Sequence, residues 1–423
     1  MTAQPGAAVV IGAGSVGIAA VAAPLTAASV PVVLVSHSPA AARCLQAGVR
    51  IVEGDAGGAS TTTFRPAAVL CSDDVEAVGA AIAAAACVVV AVPGVEDLSL
   101  ARLLWSGLRR RETPVDVVVC TNVPDEARRL ADLVGRLGPT PVGHRFAGAL
   151  VDQIVTCRMK PVRGLTLRSE GPRRLVVDGA ALHGSLPGDS RWASTGDFAG
   201  EITRKLCTFS AGHAAAAYVG GLRGHRRVEA ALRDPEVELV VREAIREGQA
   251  ALSATHPVVV TTGPTVALLR RDPLGGSSRH TAELDELVAR YANPVLRDTV
   301  ARVGRDPRRK LARTDRICRP ALLALESGGA AYALAVTAAA ASVALRADPT
   351  TPPELRRASV GELLAHTAQL PLDHEFSRLV AVALDELVRT HSPLAALTAL
   401  RGTQPYVPSV AMAGSGSRAV VAS

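Results

Sequence analysis

Aromatic residues and paired cysteines are both scarce in this chain. Phe, Tyr and Trp supply 3% of its 423 residues, with five, four and two copies respectively. Proteins that bind single-stranded nucleic acid usually stack the bases on aromatic rings, so this composition argues against that class. The seven cysteines lie scattered without a CxxC pair, which argues against a zinc ribbon and a disulfide scaffold. Scattered thiols are typical of a reducing compartment, and we expect a cytoplasmic protein.

Signals for secretion and membrane insertion are lacking as well. The first residues carry neither a basic n-region nor a cleavage motif. One uncharged stretch, Ala77 to Val95, consists mostly of Ala, contains Pro93 and includes the β-branched run CVVVAV. This pattern predicts a buried strand in the second half of the stretch rather than a membrane span.

The charge of the chain is only modestly positive. A net charge of +7 fits an anionic small substrate as well as it fits nucleic acid. The basic stretch 302–319 is the one feature that favours nucleic acid. We expect a small-molecule partner, no nucleic acid and no membrane, in a monomer or a small homo-oligomer.

The first half of the chain alternates short apolar runs with helical segments. Such runs are expected of parallel strands that are covered on both faces, and they lie at 7–12, 31–36, 67–72, 87–92 and 115–120. Helices are predicted at 15–29, 39–47, 73–85, 96–111 and 123–136. This rhythm predicts a Rossmann-like, doubly wound α/β domain over residues 1–195. Two β-rich stretches between 160 and 185, GLTLRS and RRLVVDG, predict an antiparallel addition.

The second half has a different pattern. Leu, Val and Ala recur at spacings of three and four residues, as in 236–252, and GG, NP, DP and PP signals separate the segments. This pattern predicts an all-α domain over residues 196–410. The small and polar residues 411–423 show no periodicity and predict a flexible tail.

A glycine motif follows the first predicted strand. Gly12, Gly14 and Gly17 form GxGxxG at the start of a predicted helix. This context favours a dinucleotide site, with the first Gly in the turn, the second against the pyrophosphate and the third at a close packing contact. The predicted cofactor-binding set also includes Ser15, Val16, Ser36, His37, Arg43 and Val92.

The end of the second strand bears on the choice of cofactor. Asp or Glu usually stands there in an NAD site and binds the ribose 2′-hydroxyl, but this chain has Ser36, His37 and Ser38. Ser36, Ser38 and Arg43 are suited to a 2′-phosphate, whereas an NAD site without the carboxylate stays open. We expect NAD or NADP, with NADP favoured.

Three polar residues lie close together in the helical half. Lys205, Ser210 and His213 fall within an arc of roughly 140° if their segment is an α-helix. They could reach one substrate from that face. Taken alone, they are better explained as a surface Lys, a capping Ser and a buried, hydrogen-bonded His.

The wider pattern gives these residues a context. The sequence resembles the mannitol-1-phosphate 5-dehydrogenases, within the polyol-specific long-chain dehydrogenases. The resemblance covers most of residues 7–350 and rests on GAGSVG (12–17), TN (121–122), LVDQIV (150–155), RKLCTFSAGHAAAAYVGGLRGH (204–225), YANPVLRDTVARVGRDPRRKL (291–311) and TDRICRP (314–320). It implies a Rossmann-type domain, a helical domain, an active site in the cleft between them and no metal.

The resemblance also implies residue roles. Lys205 would be the general base in alcohol oxidation, and His213 would orient the substrate. Asn122 would hydrogen-bond the reacting oxygen, and Asp152 would hold a substrate hydroxyl or steady the lysine. The substrate-binding pair of the family falls on Arg302 and Lys310, whose charges suit a phosphate monoester.

Three positions depart from the family pattern. Ser210 stands where the family has Asn, Ile18 stands where it usually has Arg, and the acid after the second strand is missing. We expect an NAD(P)-dependent oxidoreductase, with mannitol 1-phosphate and fructose 6-phosphate as the leading substrate pair. A cyclitol or cyclitol-phosphate dehydrogenase of secondary metabolism is the alternative within this chemistry. A non-catalytic dinucleotide-binding regulator is the alternative of another class.

Overall fold

A mixed eight-stranded sheet forms the centre of the first half in the computed structural model. The model describes residues 6–160, 164–171, 173, 175–188, 191–256 and 276–402. The predicted flexible tail, 411–423, lies outside the described residues. The strands of this sheet run in the order β12-β11-β8-β7-β6-β1-β2-β5. Their bounds are β1 Ala8–Ile11, β2 Val32–Ser36, β5 Ala68–Cys71, β6 Cys87–Val90, β7 Asp116–Cys120, β8 Arg145–Leu150, β11 Leu175–Asp178 and β12 Trp192–Thr195.

The six strands from β5 to β8 are parallel, whereas β11 pairs antiparallel with β8. Side chains of β1 alternate between two apolar clusters: Ala8 and Val10 belong to one, and Val9 and Ile11 belong to the other. Both faces of the sheet are therefore covered, which explains the continuous apolar runs. The predicted α/β class and the five predicted strands are confirmed.

Helices connect the parallel strands as the sequence pattern predicts. The connecting helices are Gly17–Ala22 continuing into Ala23–Ala27, then Pro39–Gln46, Val75–Ala84, Leu98–Leu108 and Glu126–Gly135. The uncharged stretch 77–95 divides between the helix Val75–Ala84 and strand β6. No described helix combines the length and the apolar character that crossing a membrane requires.

A second, four-stranded sheet was not predicted as a unit. Its order is β4-β3-β10-β9, with β3 Val49–Asp55, β4 Gly58–Phe64, β9 Val155–Lys160 and β10 Gly164–Ser169. Strands β3 and β4 form a tight hairpin, and β10 pairs antiparallel with β9 but parallel with β3. The antiparallel addition is therefore confirmed in part, since each of the two predicted stretches has one antiparallel and one parallel neighbour.

The second half is helical. Its helices are Phe198–Lys205, Leu206–Ser210, Ala211–Leu222, Val228–Ala231, Pro235–Thr255, Gly276–Tyr291, Val300–Val303, Pro307–Lys310, Cys318–Glu326, Tyr332–Ala347, Pro353–Arg357, Val360–Ala368, Glu375–Thr390 and Pro393–Gly402. Most of them pack around one large apolar cluster, in which the buried helix Tyr332–Ala347 is central.

Two described helical segments have π-helical geometry, namely Gly17–Ala22 after the glycine motif and Leu206–Ser210 in the second half. Phe198–Lys205 and Ala211–Leu222 are joined by the π-helical turn Leu206–Ser210. The helix Pro235–Thr255 crosses this turn so closely that a Cβ at Gly248 would collide with the carbonyl of Cys207. The turn changes the angular spacing between Lys205 and His213 from that of an uninterrupted α-helix, and π-helical turns are frequent at functional sites.

Candidate active site

Lys205 lies at the junction of the helix Phe198–Lys205 and the π-helical turn. Its side chain is buried, and Nζ donates hydrogen bonds to Asn122 Oδ1 at 2.8 Å and to the Val151 carbonyl oxygen at 2.7 Å. Both acceptors belong to the first half of the chain. The lysine therefore connects the helical half with the sheet.

The acceptors of Lys205 are placed by the parallel sheet. Asn122 follows β7, and Val151 follows β8, the adjacent parallel strand. The carboxyl ends of parallel strands meet at one edge, where α/β proteins commonly bind ligands. Thr121 fixes the first loop, since its hydroxyl accepts a hydrogen bond from the Val123 amide at 2.8 Å. Asn122 is exposed at this edge, within reach of a ligand.

The surroundings of Lys205 lower its pKa. Burial lowers the pKa of Lys205 to about 8, with Asp152 acting against the shift and Arg316, Arg290 and Arg204 adding to it. Lysine is rare in this chain, which has copies only at 160, 205 and 310 among 46 Lys and Arg residues. Arginine does not lose its proton in proteins, so of these two residue types only a lysine can act as a base.

Asp152 lies near Lys205 but bonds elsewhere. Its carboxylate accepts hydrogen bonds from Arg290, at 3.2 Å from Nη2 and 3.3 Å from Nη1. Arg290 also binds Glu170, at 2.9 Å from both Nε and Nη2. Burial would raise the pKa of Asp152, but the charges of Arg290 and Lys205 hold it well below its usual range. The structure thus connects Asp152 to Lys205 through charge, without a direct bond between these two described residues.

His213 belongs to a second buried network. Its Nε2 lies 3.3 Å from Asp298 Oδ2, at the distance of an ion pair but without hydrogen-bond alignment. Burial lowers the pKa of His213, so the neutral ring is favoured although Asp298 opposes the shift. The carboxylate favours the tautomer with the proton on Nε2, which leaves Nδ1 as an acceptor. Tyr291 stacks on the ring with centroids 4.9 Å apart.

The ring of Phe209 connects the lysine and the histidine. It lies 5.9 Å from Lys205 Nζ, 5.7 Å from the His213 ring and 4.5 Å from the Arg290 guanidinium. Ser210 follows it as a buried residue at the end of the π-helical turn. The sequence motif is therefore assembled around a ring that sequence reasoning did not include.

Arg302 and Lys310 line a cavity of about 430 Å³ together with His213. Arg302 donates to Asp298 from Nε at 2.6 Å and from Nη2 at 2.5 Å. Lys310 is buried and donates to the carbonyl oxygens of Val303, at 2.6 Å, and Arg305. Burial, then the charges of Arg316 and Arg309, lower the pKa of Lys310 to about 7. The two predicted substrate-binding cations are thus brought together, but each already has protein partners.

The glycine motif has the geometry that a pyrophosphate requires. Gly12 has φ of +113°, and a Cβ there would collide with the carbonyl of Ala91. A Cβ on Gly17 would collide with the carbonyl of Gly12. Gly14 is exposed, and a Cβ there would meet no atom within 4 Å. The first and third glycines therefore allow close packing, and the second leaves open space in front of the helix.

The other predicted cofactor residues surround this loop. Ser15 and Val16 begin the helix, and Val92 approaches Gly12 from the end of β6. The loop follows β1, which pairs with β2 on one side and with β6 on the other. The strand order reverses at this point of the sheet. These residues fit a dinucleotide that would lie across the carboxyl ends of the strands.

The ribose end of the site has a different character. Ser36 is buried, and its Oγ accepts the Ser38 amide at 3.3 Å. The hydroxyl of Ser38 caps the following helix by accepting from the Ala41 amide. His37 and Arg43 are exposed beside this turn. Arg43 and His37 are thus the cations available to a ligand here, while both serine hydroxyls contribute to the turn.

Known proteins match this chain over most of its length. It is 31% identical, over 278 residues, to a mannitol-1-phosphate 5-dehydrogenase of Brevibacillus brevis. The match covers 63% of this chain and 67% of that relative. The model of the mannitol dehydrogenase C-terminal domain matches residues 274–347. The chain belongs to the mannitol dehydrogenase family. The resemblance predicted from the sequence is therefore confirmed, and the protein is an oxidoreductase family member.

Solved structures of the mannitol dehydrogenase family share the fold. The mannitol 2-dehydrogenase of Pseudomonas fluorescens, solved as a ternary complex with NAD and D-mannitol, has a TM-score of 0.71 at 15% identity. The match covers 95% of each chain. A D-sorbitol dehydrogenase in substrate-free form has a TM-score of 0.64 at 16% identity, over 94% of this chain and 95% of that one. The two-part architecture is thus that of the family.

Sequence reasoning missed several residues of the candidate site. They are the buried partners of the predicted residues and the remaining cation of the cavity, namely Phe209, Arg290, Tyr291, Asp298 and Arg316. All except Phe209 lie between 290 and 316, and Phe209 itself is within the 204–225 motif. A signal was therefore present, because both stretches carried the resemblance, but spacing alone does not show which of their polar residues meet.

Proposed function

We propose that this protein is an NAD(P)-dependent polyol phosphate dehydrogenase, which interconverts a secondary alcohol and a ketone by direct hydride transfer. Mannitol 1-phosphate and fructose 6-phosphate are the leading substrate pair. The bonding of Lys205 to Asn122 and Val151 is the observation that carries the proposal. The name of the Brevibacillus brevis relative and the basic cavity beside His213 support the phosphate.

The two acceptors on Lys205 prepare it to act as a base. A neutral amine has two protons and one lone pair, and the Asn122 and Val151 oxygens can accept both protons. The lone pair is then left for the alcohol proton. A pKa of about 8 places this neutral form within reach at physiological pH. In ketone reduction the protonated amine returns the proton to the developing alkoxide.

Asn122 complements the lysine at the reacting oxygen. Its Oδ1 faces Lys205, because an ammonium only donates hydrogen bonds. Its amide nitrogen is therefore free to donate to the substrate oxygen, whose negative charge increases as the proton leaves. His213, with Nδ1 as an acceptor, would orient a neighbouring hydroxyl. The bound dinucleotide would supply the hydride acceptor and is expected on Gly12, Gly14 and Gly17.

The proposal is tested by steady-state turnover. NADH and NADPH are each assayed against fructose 6-phosphate, fructose and a panel of keto cyclitols, with the reverse reactions measured on the alcohols. Activity highest on fructose 6-phosphate supports the proposal. Turnover confined to keto cyclitols would select the alternative substrate class, for which the small buried Ser210 is the supporting observation. Dinucleotide binding without any turnover would favour a regulator instead.

A further inference from the structure

The basic cavity contains more cations than the pair carried over by the resemblance. Its lining comprises His213, Arg302, Val303, Arg305, Asp306, Arg309, Lys310 and Arg316. Four arginines and one lysine therefore surround a space of about 430 Å³. How well a side chain binds an anion depends on how many of its hydrogen-bond donors are already used by protein acceptors.

The expected pair has few donors left. Arg302 places Nε and Nη2 on Asp298 in a bidentate contact. Lys310 directs its ammonium to the Val303 and Arg305 carbonyls, and its pKa of about 7 leaves it partly neutral near physiological pH. The Arg302 charge is thus offset by Asp298, and Lys310 carries only a partial charge. This arrangement suits residues that form the wall of the cavity better than residues that bind a phosphate directly.

Two other arginines lie at the exposed rim. Arg309 is exposed and donates to Asp306 at 2.8 Å and to Asp315 at 2.6 Å. Arg305 is also exposed, and its Nε donates to the Arg302 carbonyl. Solvated cations of this kind add to the potential of a cavity, but each is worth little in direct binding.

Arg316 differs from the other four cations. Its side chain is 19% exposed, and its Nε donates to Asp315 Oδ1 at 2.7 Å. The Arg316 backbone amide donates to the same oxygen at 2.6 Å. Neither terminal nitrogen, Nη1 or Nη2, donates to another residue within the described part of the chain. Asp315 therefore holds the guanidinium through Nε. The terminal nitrogens Nη1 and Nη2 remain available to a ligand in the cavity.

The place of Arg316 connects the cavity with the reacting centre. Besides burial, the Arg316 charge contributes to the lowered pKa values of Lys205, His213 and Lys310. Arg316 also lines the cavity together with His213 and Lys310. An anion held at Arg316 would thus bind in the cavity that His213 also lines, at one end of a polyol whose reacting carbon, next to the opposite end, faces the lysine.

We propose that Arg316, positioned by Asp315, is the specificity-determining residue that binds the phosphate monoester of the substrate. A planar guanidinium with its fork free matches two phosphate oxygens at once. Arg302 and Lys310 then shape the cavity and contribute charge. This inference rests on the proposed function for the identity of the substrate, but phosphate binding itself is measurable without turnover.

The kinetic test compares substrates that differ only in the phosphate. The ratio of kcat/KM for mannitol 1-phosphate to that for mannitol is measured in the wild type, Arg316→Met, Arg316→Lys and Arg302→Met. We expect Arg316→Met to lower the ratio on the order of 10- to 100-fold, as loss of a charge-assisted bidentate contact does. Arg316→Lys should restore part of it. Arg313→Met is the matched control, because Arg313 is exposed in the same segment and does not line the cavity.

A binding test separates failure of this inference from failure of the proposed function. Calorimetric titration with inorganic phosphate in a phosphate-free buffer should show binding to the wild type and to Arg313→Met, and much weaker binding to Arg316→Met. An unchanged phosphate affinity and substrate ratio in Arg316→Met, with both lost in Arg302→Met, would overturn the inference. A wild type that binds phosphate at Arg316 but turns over no polyol phosphate would leave the inference standing and reject the proposed substrate.

Discussion

Arg290 holds Asp152 in a bidentate contact, and Lys205 donates its hydrogen bonds elsewhere. The guanidinium nitrogens of Arg290 lie 3.2 and 3.3 Å from the two carboxylate oxygens of Asp152. Nζ of Lys205 instead donates to Asn122 and Val151. The resemblance implies that Asp152 steadies the lysine, and we propose that it would do so through its charge rather than through a hydrogen bond. This distinction has a measurable consequence for the dependence of activity on pH.

Asp152→Asn should lower the pH at which the general base of alcohol oxidation becomes active. In the wild type we expect kcat/KM for alcohol oxidation to rise with pH through about 8, because Lys205 accepts the proton only when it is neutral. Asp152 is the charge that raises the pKa of Lys205 against the effect of burial, so its removal should lower that pKa. The rise should then begin at lower pH. Arg290 keeps Glu170 as a partner in this variant.

The pH profiles of the wild type, of Asp152→Asn and of a control variant decide the point. Asp132→Asn, which removes an exposed carboxylate on the helix Glu126–Gly135, should leave the profile unchanged. A rise at the same pH in Asp152→Asn and wild type would show that Asp152 does not act on the base.

Lys205 variants separate charge from basicity. Lys205→Ala should lower turnover by roughly 10²- to 10⁴-fold, the usual contribution of a positioned proton-transfer group. Lys205→Arg should be impaired as well, because a guanidinium keeps the charge but does not act as a base. Dinucleotide affinity, measured by fluorescence titration, should stay close to that of the wild type in both.

Chemical rescue provides the matching control. Small primary amines should restore part of the activity of Lys205→Ala and leave Lys205→Arg unchanged, because the arginine side chain fills the space. Turnover of a correctly folded Lys205→Ala within a few-fold of the wild type would remove Lys205 from the mechanism.

The sequence predicted the elements that local pattern alone determines. Parallel strands such as β1 and β6 are buried on both faces, so their apolar runs were visible without knowledge of their neighbours. The hairpin β3–β4 was missed because β4, GASTTTF, is exposed over most of its length and has no apolar run. It is held by pairing with β3 and, through Asn293, by a hydrogen bond from Nδ2 to the Gly54 carbonyl at 2.8 Å. Such long-range partners leave no local signal.

For the candidate site, as for the fold, prediction reached only the residues that a local sequence pattern marks. Residues that we propose to act directly, such as Lys205 and Asn122, belong to stretches with a family pattern. Their buried partners, such as Asp298 under His213, depend on how distant segments pack. The π-helical turn was also invisible to an argument from α-helical spacing, because it is defined by backbone hydrogen bonds rather than by residue type.

Ser36→Asp should shift the cofactor preference toward NADH. We expect the wild type to use NADPH at least as well as NADH, because Arg43 and His37 are exposed beside the end of β2 and no carboxylate stands there. An Asp at 36 can still accept the Ser38 amide, as the Ser36 hydroxyl does, so the turn should survive. Its charge would repel a 2′-phosphate and bind a free 2′-hydroxyl.

The measured quantity is the ratio of kcat/KM for NADPH to that for NADH. Arg43→Ala should lower this ratio without the new carboxylate, and Arg50→Ala, an exposed arginine on β3, serves as the control. A wild type that strongly rejects NADPH would show that residues other than 36–43 recognise the 2′ position of the cofactor ribose.

Ser210→Asn should favour the linear sugar phosphate over a ring. Asn restores the family residue, whose amide can donate to the reacting oxygen and accept from a neighbouring hydroxyl at once. The recovered hydrogen bond is worth on the order of 1 kcal/mol, or several-fold in kcat/KM. Because Ser210 is buried, the larger side chain should also take space from a bulkier substrate.

The comparison uses kcat/KM for mannitol 1-phosphate and for the best cyclitol in the wild type and Ser210→Asn. Opposite changes for the two substrates would show that position 210 sets specificity. Parallel changes would mean that the departure from the family pattern does not affect the choice of substrate.

Glu247 should make the stability of the helical half depend on pH. Its carboxylate accepts the Ala333 amide at 2.8 Å and the Leu334 amide at 3.0 Å, at the start of the helix Tyr332–Ala347. Burial raises the pKa of Glu247 to about 8, although these backbone donors act against the shift. Between the unfolded pKa, about 4.3, and 8, the folded protein therefore holds a proton that the unfolded chain has lost.

The sign of the effect follows from that proton. The contribution of Glu247 is fully present below the unfolded pKa, falls by up to about 1.4 kcal/mol per pH unit through this window, and is constant above it. Glu247→Gln keeps an oxygen that can accept the same amides but removes the titration. Its free energy of unfolding, from urea denaturation at pH 5 to 9, should therefore fall less steeply with rising pH than that of the wild type. Glu326→Gln, at an exposed site, should follow the wild type. Parallel curves for Glu247→Gln and the wild type would mean that the amides at the helix start, by donating to the carboxylate, keep Glu247 ionised throughout.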